Sequence, residues 1–345
     1  MRNTREWGKI GLKNVSMIIP IRNEEKYIVK CLESVVAQDY PKEKLEIILV
    51  DGMSEDKTPY IIREYMKKYI FIKLFENPRK TVQYALNIGV QNAIGEYIVR
   101  MDAHAEYAQD YVSKSVEYLE KTGAANVGGP TIVKGKKPIQ KAIAAAYASP
   151  FALGGSSHYK DDFEGYADTV AWGAFRRQDL IDIGLYDERL PRNEDDDLNF
   201  RITENSGKIF ITPKIKSVYY PKETYAGLFK QYYNYGLWKV AVIKKHKKPA
   251  RIAHLIPMLF VAFLISFGIL SIISPIFTHI FLGVMSLYMI LNVYFSTKAP
   301  AGSYSVMWAH FVIHIAYGLG FWVGIFKFWN TKWEASKEVN IWKKD

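Results

Sequence analysis

Asp102 and His104, two positions apart, and the unbroken acidic run from Glu194 to Asp197 are the residues whose types and spacing could do chemistry together. An aspartate suits a divalent cation that neutralises phosphate charge, and an imidazole beside it admits manganese more readily than an all-oxygen cage. The pair therefore fits manganese or magnesium bridging a diphosphate. The acidic run fits another task, because a carboxylate within reach of a hydroxyl can remove its proton, an effect worth about 10²–10⁴-fold in rate. Plainer readings stay open for both. A lone histidine is often only a surface or hydrogen-bonding group, and four acids ahead of Leu198 also describe a helix start. Asp51, in Val50-Asp51-Gly52, offers a carboxylate to a base or ribose, or simply closes a turn.

These residues need a frame that brings strand ends together. Val15 to Pro20 is a short apolar run, followed by Asn23 as a helix cap, acidic Glu24 and Glu25, and a helical stripe of Ile28, Cys31, Leu32, Val35 and Val36. Leu45 to Val50 repeats the strand pattern, with Ser54, Asp56 and Thr58 as caps for a helix carrying Ile62, Tyr65, Met66 and Tyr69. Ile70 to Phe75, a helix through Tyr84 to Ala93 and a strand from Glu96 to Met101 continue the alternation, which implies a mainly parallel α/β sheet covered by helices. Pro20, Asp51 and Asp102 then fall at the carboxyl ends of three strands, the edge where such sheets take a nucleotide. No Walker-type loop and no G-x-G-x-x-G follows the first strand, which argues against kinase and dinucleotide oxidoreductase chemistry.

The run Ile18-Ile19-Pro20-Ile21-Arg22-Asn23-Glu24, then Val50-Asp51-Gly52-Met53-Ser54-Glu55-Asp56-Lys57-Thr58, resembles the opening of glycosyltransferase family 2 enzymes. Ala85-Leu86-Asn87-Ile88-Gly89, Gly95-Glu96-Tyr97-Ile98 and Asp102-Ala103-His104 are similar to that family's approach to its D-x-D metal motif. Glu194-Asp195-Asp196-Asp197-Leu198-Asn199-Phe200-Arg201 matches its E-D-x-D-L-x-x-R pattern. The resemblance covers roughly Asn14 to Tyr220 and rests on four ordered motifs. Within the family it is similar to the membrane-anchored succinoglycan-biosynthesis type. It implies a GT-A fold, Rossmann-like with helices on both sheet faces, a UDP- or GDP-sugar donor, a divalent cation and inversion at the anomeric carbon. It makes Asp195 the catalytic base. It assigns Asp102 and His104 to the metal, although His104 stands where the family pattern has a second aspartate. Pro20, Arg22, Asn23, Glu24, Asp51, Lys80 and Asp102 become the expected sugar-nucleotide set. Trp172, Gly173, Glu194, Asp197, Arg201, Gln231 and Trp238 become the expected acceptor side.

Several of these assignments have structural competitors. Trp172 presents an aromatic face to an acceptor or packs internally, and Glu194 acts directly or only adds to a helix start. Arg176 and Arg177 sit near a phosphate or on the solvated surface. Gln231 and Trp238 match the Q-x-x-R-W motif of processive synthases only in part, lacking its spacing and arginine, which favours single sugar addition over polymerisation. A non-catalytic scaffold retaining a sugar-nucleotide pocket is the remaining alternative.

Composition divides the chain in two. With 345 residues and 49% hydrophobic content there is material for a soluble domain and more. From Ile252 to Thr297 no Asp, Glu, Lys or Arg occurs, and a second uncharged stretch follows up to Phe326 except for Lys298. At ~20 residues per span, with a break at Ser274 and Pro275, this gives about three membrane or membrane-embedded helices. The expected partition is a GT-A domain over 1–222, a basic amphipathic segment lying in the headgroup layer over 223–251, apolar helices over 252–326 and a basic tail over 327–345. The segment 225–248 pairs Phe229, Tyr232, Tyr233, Tyr235 and Trp238 with a basic cluster suited to an anionic bilayer. That placement argues against nucleic acid as the partner of a net charge of +11.

The N-terminus lacks the apolar run of a signal peptide, so the first domain is expected in the cytoplasm and the chain as a multi-pass plasma-membrane protein, with a lipid-linked or membrane glycan as acceptor. Lys239 to Arg251 place the start of the spans in the cytoplasm, yet Lys327, Lys332, Lys337, Lys343 and Lys344 place the C-terminus there too. Three spans cannot satisfy both: either one apolar segment is re-entrant or interfacial, or the tail departs from the positive-inside rule. The single cysteine, Cys31, excludes an internal disulfide and a cysteine metal cluster and reads as core. His310 and His314, four apart, form a metal pair on one helix face or a packing and hydrogen-bonding pair.

Overall fold

The computed structural model describes residues 12–153, 159–249, 251–299, 302–334 and 341–342. Most of the N-terminal segment and the tail residues Lys337, Lys343 and Lys344 lie outside them. In chain order the elements begin with β1 (Val15–Ile21), α1 (Ile28–Val36), β2 (Leu45–Asp51), α2 (Thr58–Lys68), β3 (Ile72–Glu76), α3 (Val82–Asn92) and β4 (Tyr97–Arg100). There follow β5 (Ala105–Tyr107), α4 (Tyr111–Thr122), β6 (Asn126–Gly128), β7 (Thr131–Val133), α5 (Pro138–Ala148) and the short α6 (Pro150–Leu153). Next come β8 (Gly165–Ala167), β9 (Ala174–Arg176), α7 (Arg177–Asp182), α8 (Glu194–Glu204), β10 (Ile209–Ile211) and β11 (Ser217–Tyr219). The chain ends in α9 (Tyr225–His246), α10 (Ile256–Ile273), α11 (Pro275–Thr297) and α12 (Ser303–Lys327). Two compact units divide these residues: 12–132, 161–219 and 341–342 form one, and 133–160 with 220–334 the other.

The first unit holds an eight-stranded sheet in the order β3-β2-β1-β4-β9-β6-β10-β8. Its first half is wholly parallel, as the strand–helix alternation requires. The register aligns Ile21 with Asp51 and Asp51 with Glu76, so three strand ends finish at one edge. β9 runs antiparallel between β4 and β6. Because successive side chains alternate between faces, β1 feeds two cores. Met17 and Ile19 pack with Ile28, Cys31, Leu32 and Val35 on one face, while Ile18 packs with Ile48, Leu86 and Val90 on the other. α3 approaches β1 so closely that a Cβ at Gly89 would collide with the Ile18 side chain. A small sheet in the order β5-β11-β7 completes the unit.

Asn23 does not cap a helix. Its φ is +54°, and α1 starts only at Ile28, after Tyr27 and Ile28 have bonded back to the Glu24 carbonyl. The Asn23 side chain instead accepts from Glu55 N at 2.8 Å, and its own N–H donates to Ser54 Oγ at 2.8 Å. Long-range loop bonding outcompetes the local capping pattern here.

The second unit is helical. Three of its helical stretches, Ile252–Ile273, Pro275–Thr297 and Ser303–Lys327, are long and apolar enough to cross a membrane, breaking at Ser274 and Pro275 as expected. His310 and His314 do not converge on a shared site. His310 Nδ1 meets Asn292 Oδ1 at 2.8 Å, whereas His314 meets Tyr288 at 3.0 Å and the Phe151 carbonyl at 2.9 Å, which is the packing alternative.

Candidate functional site

The carboxyl ends of the parallel strands carry most of the sequence-predicted donor residues. At the end of β2, Asp51 is 6% exposed and accepts from the Ser54 backbone at 3.2 Å and from Ser54 Oγ at 2.6 Å. It therefore closes its own turn, the structural alternative for this residue. Asn77 N bonds back to the Asp51 carbonyl, and Lys80 N to Asn77, so the exposed Lys80 belongs to the loop tied to this strand end. Pro20 is half-buried within β1, and exposed Arg22 follows it. Glu24 lies just beyond, its N–H held by Thr58 Oγ1 at 2.8 Å.

At the end of β4, Asp102 and Trp172 meet because β9 runs antiparallel beside that strand and delivers the preceding residues to its end. Trp172 Nε1 donates to Asp102 Oδ2 at 2.7 Å. The indole is buried, 5.9 Å from the Tyr219 ring, so Trp172 is packed whatever else it does. Gly173 has a steric reason for being glycine: a Cβ there would run into the Asn126 amide. His104 Nδ1 lies 3.5 Å from Glu24 Oε1, the carboxylate–imidazole arrangement that orients a metal-ligating histidine.

The acidic run forms the first turn of α8, where negative charge complements the helix N-terminus. Sequence reasoning missed the group that ties this turn to Asp102, which is Arg100, the last residue of β4. Its guanidinium donates to Asp195 Oδ1 and to Glu194 Oε1, the latter at 3.1 Å, and lies 3.8 Å from Asp102 Oδ1. It also stands 5.8 Å from the Tyr186 ring. Burial disfavours its charge, but Asp195, Asp102 and Glu194 more than offset that and hold its pKa above the ordinary arginine range. The only sequence signal was a charged residue ending an otherwise uncharged strand.

Burial pushes the Asp195 carboxyl upward, Arg100 pulls it down, and Glu194, Asp102 and Asp196 push it up again, leaving it above the usual carboxylate range. A carboxyl so raised suits proton removal near neutral pH. Asp197 and Arg201 face inward. Arg201 Nε bonds Asp197 Oδ2 at 2.9 Å, and its other nitrogens bond the carbonyls of Ile183 and Leu185 at 2.7 and 2.5 Å. This buried pair braces α8. Arg176 and Arg177 are likewise neither phosphate-facing nor merely solvated, since they donate to the carbonyls of Leu119, Ala124 and Val90 at the ends of α4 and α3.

Backbone strain gathers at the same edge. Asn23, Met53, Lys80, Trp172 and Asn193 have φ between 50° and 62°, a conformation that costs of order 1 kcal/mol in non-glycine residues and clusters at ligand sites. Among the described residues no three His, Cys, Asp or Glu side chains form a metal cage. Asp102 and His104 are the residues that could hold a cation completed by phosphate oxygens and water. Gln231 and Trp238 belong to the second unit. Gln231 accepts from Tyr147 at 3.2 Å and donates to Tyr235 at 3.0 Å, while the Trp238 ring is 5.1 Å from Phe328.

Residues 16–183 match the model of glycosyl transferase family 2. A curated relative from Methanococcus voltae, named dolichyl N-acetyl-alpha-D-glucosaminyl phosphate 3-beta-D-2,3-diacetamido-2,3-dideoxy-beta-D-glucuronosyltransferase, is 35% identical over 67% of this chain and 74% of its own length. The succinoglycan biosynthesis protein ExoA of Rhizobium meliloti is 29% identical over 89% of this chain and 93% of its own. Among solved structures, the mannosyltransferase PcManGT from Pyrobaculum calidifontis, in complex with GDP-Man and Mn2+, superimposes with a TM-score of 0.63 at 20% identity over 90% of this chain and 88% of its own. That last likeness is one of fold. With the ordered strand-end motifs and the length of the methanococcal match, the chain belongs to glycosyltransferase family 2 and is a sugar-transferring enzyme.

Proposed function

We propose that the protein moves one sugar, with inversion, from a nucleoside diphosphate sugar to a membrane-presented, lipid-linked acceptor in the synthesis of a cell-surface or extracellular glycan. The observation that carries this reading is the Arg100 bridge. One terminal nitrogen of this buried guanidinium bonds Asp195, the candidate base, and the other lies 3.8 Å from Asp102, the candidate leaving-group residue. The acceptor oxygen–C1 bond forms as the C1–phosphate oxygen bond breaks, the acceptor proton passes to Asp195, and the nucleoside diphosphate departs. A single in-line displacement of this kind inverts the anomeric carbon.

Asp102 and His104 would hold a divalent cation, which when bound neutralises leaving-group charge. Pro20, Arg22, Asn23, Glu24, Asp51 and Lys80 line the donor edge. Arg100 positions Asp195 and Glu194, and Trp172 fixes the orientation of Asp102. Two features support the lipid acceptor: the three long apolar helices, and a methanococcal relative named for transfer to a dolichyl-linked sugar phosphate. The basic residues around those helices support a plasma-membrane location with the sugar-transfer unit on the cytoplasmic side.

The test is to incubate detergent-solubilised protein with a panel of UDP- and GDP-sugars and manganese or magnesium, with and without native lipid extract. Release of nucleoside diphosphate from one donor, dependent on metal and stimulated by lipid, is expected, with a product one sugar longer than the acceptor. Tight donor binding without release in an extract shown to contain acceptor would sink the proposal, and products many sugars long would replace it with polymerisation.

A further inference from the structure

The three apolar helices are alike in length but not in surroundings. α10 and α11 are almost wholly exposed along apolar surface, whereas half of α12 is buried inside the second unit. Its main companion is α9, which runs beside it in the same direction. Tyr225 donates to the Ser305 carbonyl at 2.8 Å at one end, and Lys244 donates to the Trp329 carbonyl at 2.8 Å at the other. Between these ends, a Cβ at Gly236, Gly320 or Gly324 would collide with the facing backbone. α9 cannot itself cross a bilayer, because Lys230, Asn234 and Lys239 interrupt it well short of the ~20 apolar residues a span needs. A helix held against it from end to end shares its depth.

α12 also packs against both helices of the α10–α11 hairpin, His314 at its middle meeting Tyr288 of α11. His310 bonds Asn292 and lies near Ser296, in the last turns of α11. Trp322 donates to the Met258 carbonyl at 3.0 Å, in the first turn of α10. The chain ends give an independent count. Trp342, after α12, packs on the sugar-transfer unit, with its indole Nε1 3.3 Å from Asp179 Oδ2 and its ring over Gly207. That unit precedes the apolar helices, so the number of crossings between is even.

We infer that the chain crosses the membrane twice, through α10 and α11. α12 lies with α9 in the headgroup layer of one leaflet, turning the stripe of Tyr304, Trp308, Phe326 and Trp329 to lipid. Aromatic rings are favoured at that depth. The basic residues Lys244 to Arg251, Lys298 and Lys327 then all flank the membrane on the side of the sugar-transfer unit, and the α10–α11 turn carries none. The conflict between three spans and two cytoplasmic basic flanks disappears. This inference concerns insertion and does not depend on the sugar-transfer mechanism.

The test uses the full-length protein with single added cysteines, Cys31 being wholly buried: Lys67→Cys in the sugar-transfer unit, His279→Cys after the α10–α11 turn and Thr331→Cys after α12. Each is treated with a membrane-impermeant maleimide in sealed vesicles of both orientations, with detergent-solubilised protein as the measure of full labelling. Lys67→Cys and Thr331→Cys should label from the same face and His279→Cys from the opposite one. Thr331→Cys labelling with His279→Cys, or from neither face until detergent is added, overturns the inference.

Discussion

At the scale of single residues, one guanidinium gathers three of the acidic groups. Asp195, Glu194 and Asp102 were legible because carboxylates at strand ends and at a helix start announce themselves. Arg100 was not, since an arginine ending a strand is ordinarily a surface residue and only the fold aims it between three carboxylates. Asp195→Asn should keep donor binding and lower kcat about 10²–10⁴-fold, the worth of a general base. Turnover within a few-fold of the parent would remove Asp195 from the mechanism. The pH profile separates Arg100 from a mere brace. A base acts deprotonated, so activity falls as pH drops through the raised pKa of Asp195. Arg100 is the neighbour that lowers that pKa, so Arg100→Met should move the acid limb of kcat/KM to higher pH, and Arg100→Lys should bring it most of the way back. Loss of activity at every pH with the limb unmoved would leave Arg100 a structural residue only.

At the scale of elements, the strand–helix alternation was readable because period two and period 3.6 write themselves into β1, β2 and α1. What escaped were features whose cause lies elsewhere in the chain. Asn23 has the local look of a helix cap, but the next strand–helix loop supplies Ser54 and Glu55 and pulls it into a left-handed turn. Asp197 and Arg201 match an acceptor-side motif, yet Arg201 donates to Asp197 and to the carbonyls of Ile183 and Leu185. Gly89 carries a similar constraint. In an isolated helix Gly→Ala gains about 1 kcal/mol, whereas here the new methyl meets Ile18, wholly buried in close-packed core, where overpacking typically costs about 1–3 kcal/mol. Gly89→Ala should therefore lower the thermal midpoint in detergent. Combined with Ile18→Ala it should destabilise less than the two single changes summed, because the methyl fills space the isoleucine leaves. Strict additivity would mean that α3 and β1 do not meet as described.

At the scale of the whole molecule, the linear partition at residue 222 does not show how the chain groups in space. Residues 133–160 leave the sugar-transfer unit, join the helical one and return. Nothing local marks the excursion. α5 is a short alanine-rich helix, and its partners come from segments eighty or more residues later: Gln140 donates to the Pro221 carbonyl at 2.9 Å and Tyr147 to Gln231. Beyond it, the Phe151 ring sits among Tyr288, Phe295, His310 and His314 at 5.1–5.5 Å. A chain ended at residue 222 keeps α5 and α6 and loses every one of these partners except Pro221, uncovering Phe151 and the side of Tyr147 that faces Gln231 and Tyr232. Each such side chain forgoes roughly 1.5–3 kcal/mol of burial, and together they make an apolar patch of the kind that drives association. Residues 1–222 should accordingly sediment as aggregates when expressed without detergent, and Tyr147→Lys with Phe151→Lys should raise the soluble, monodisperse fraction. A truncated chain that is already monodisperse would mean that α5 and α6 do not depend on residues beyond 222 for their cover.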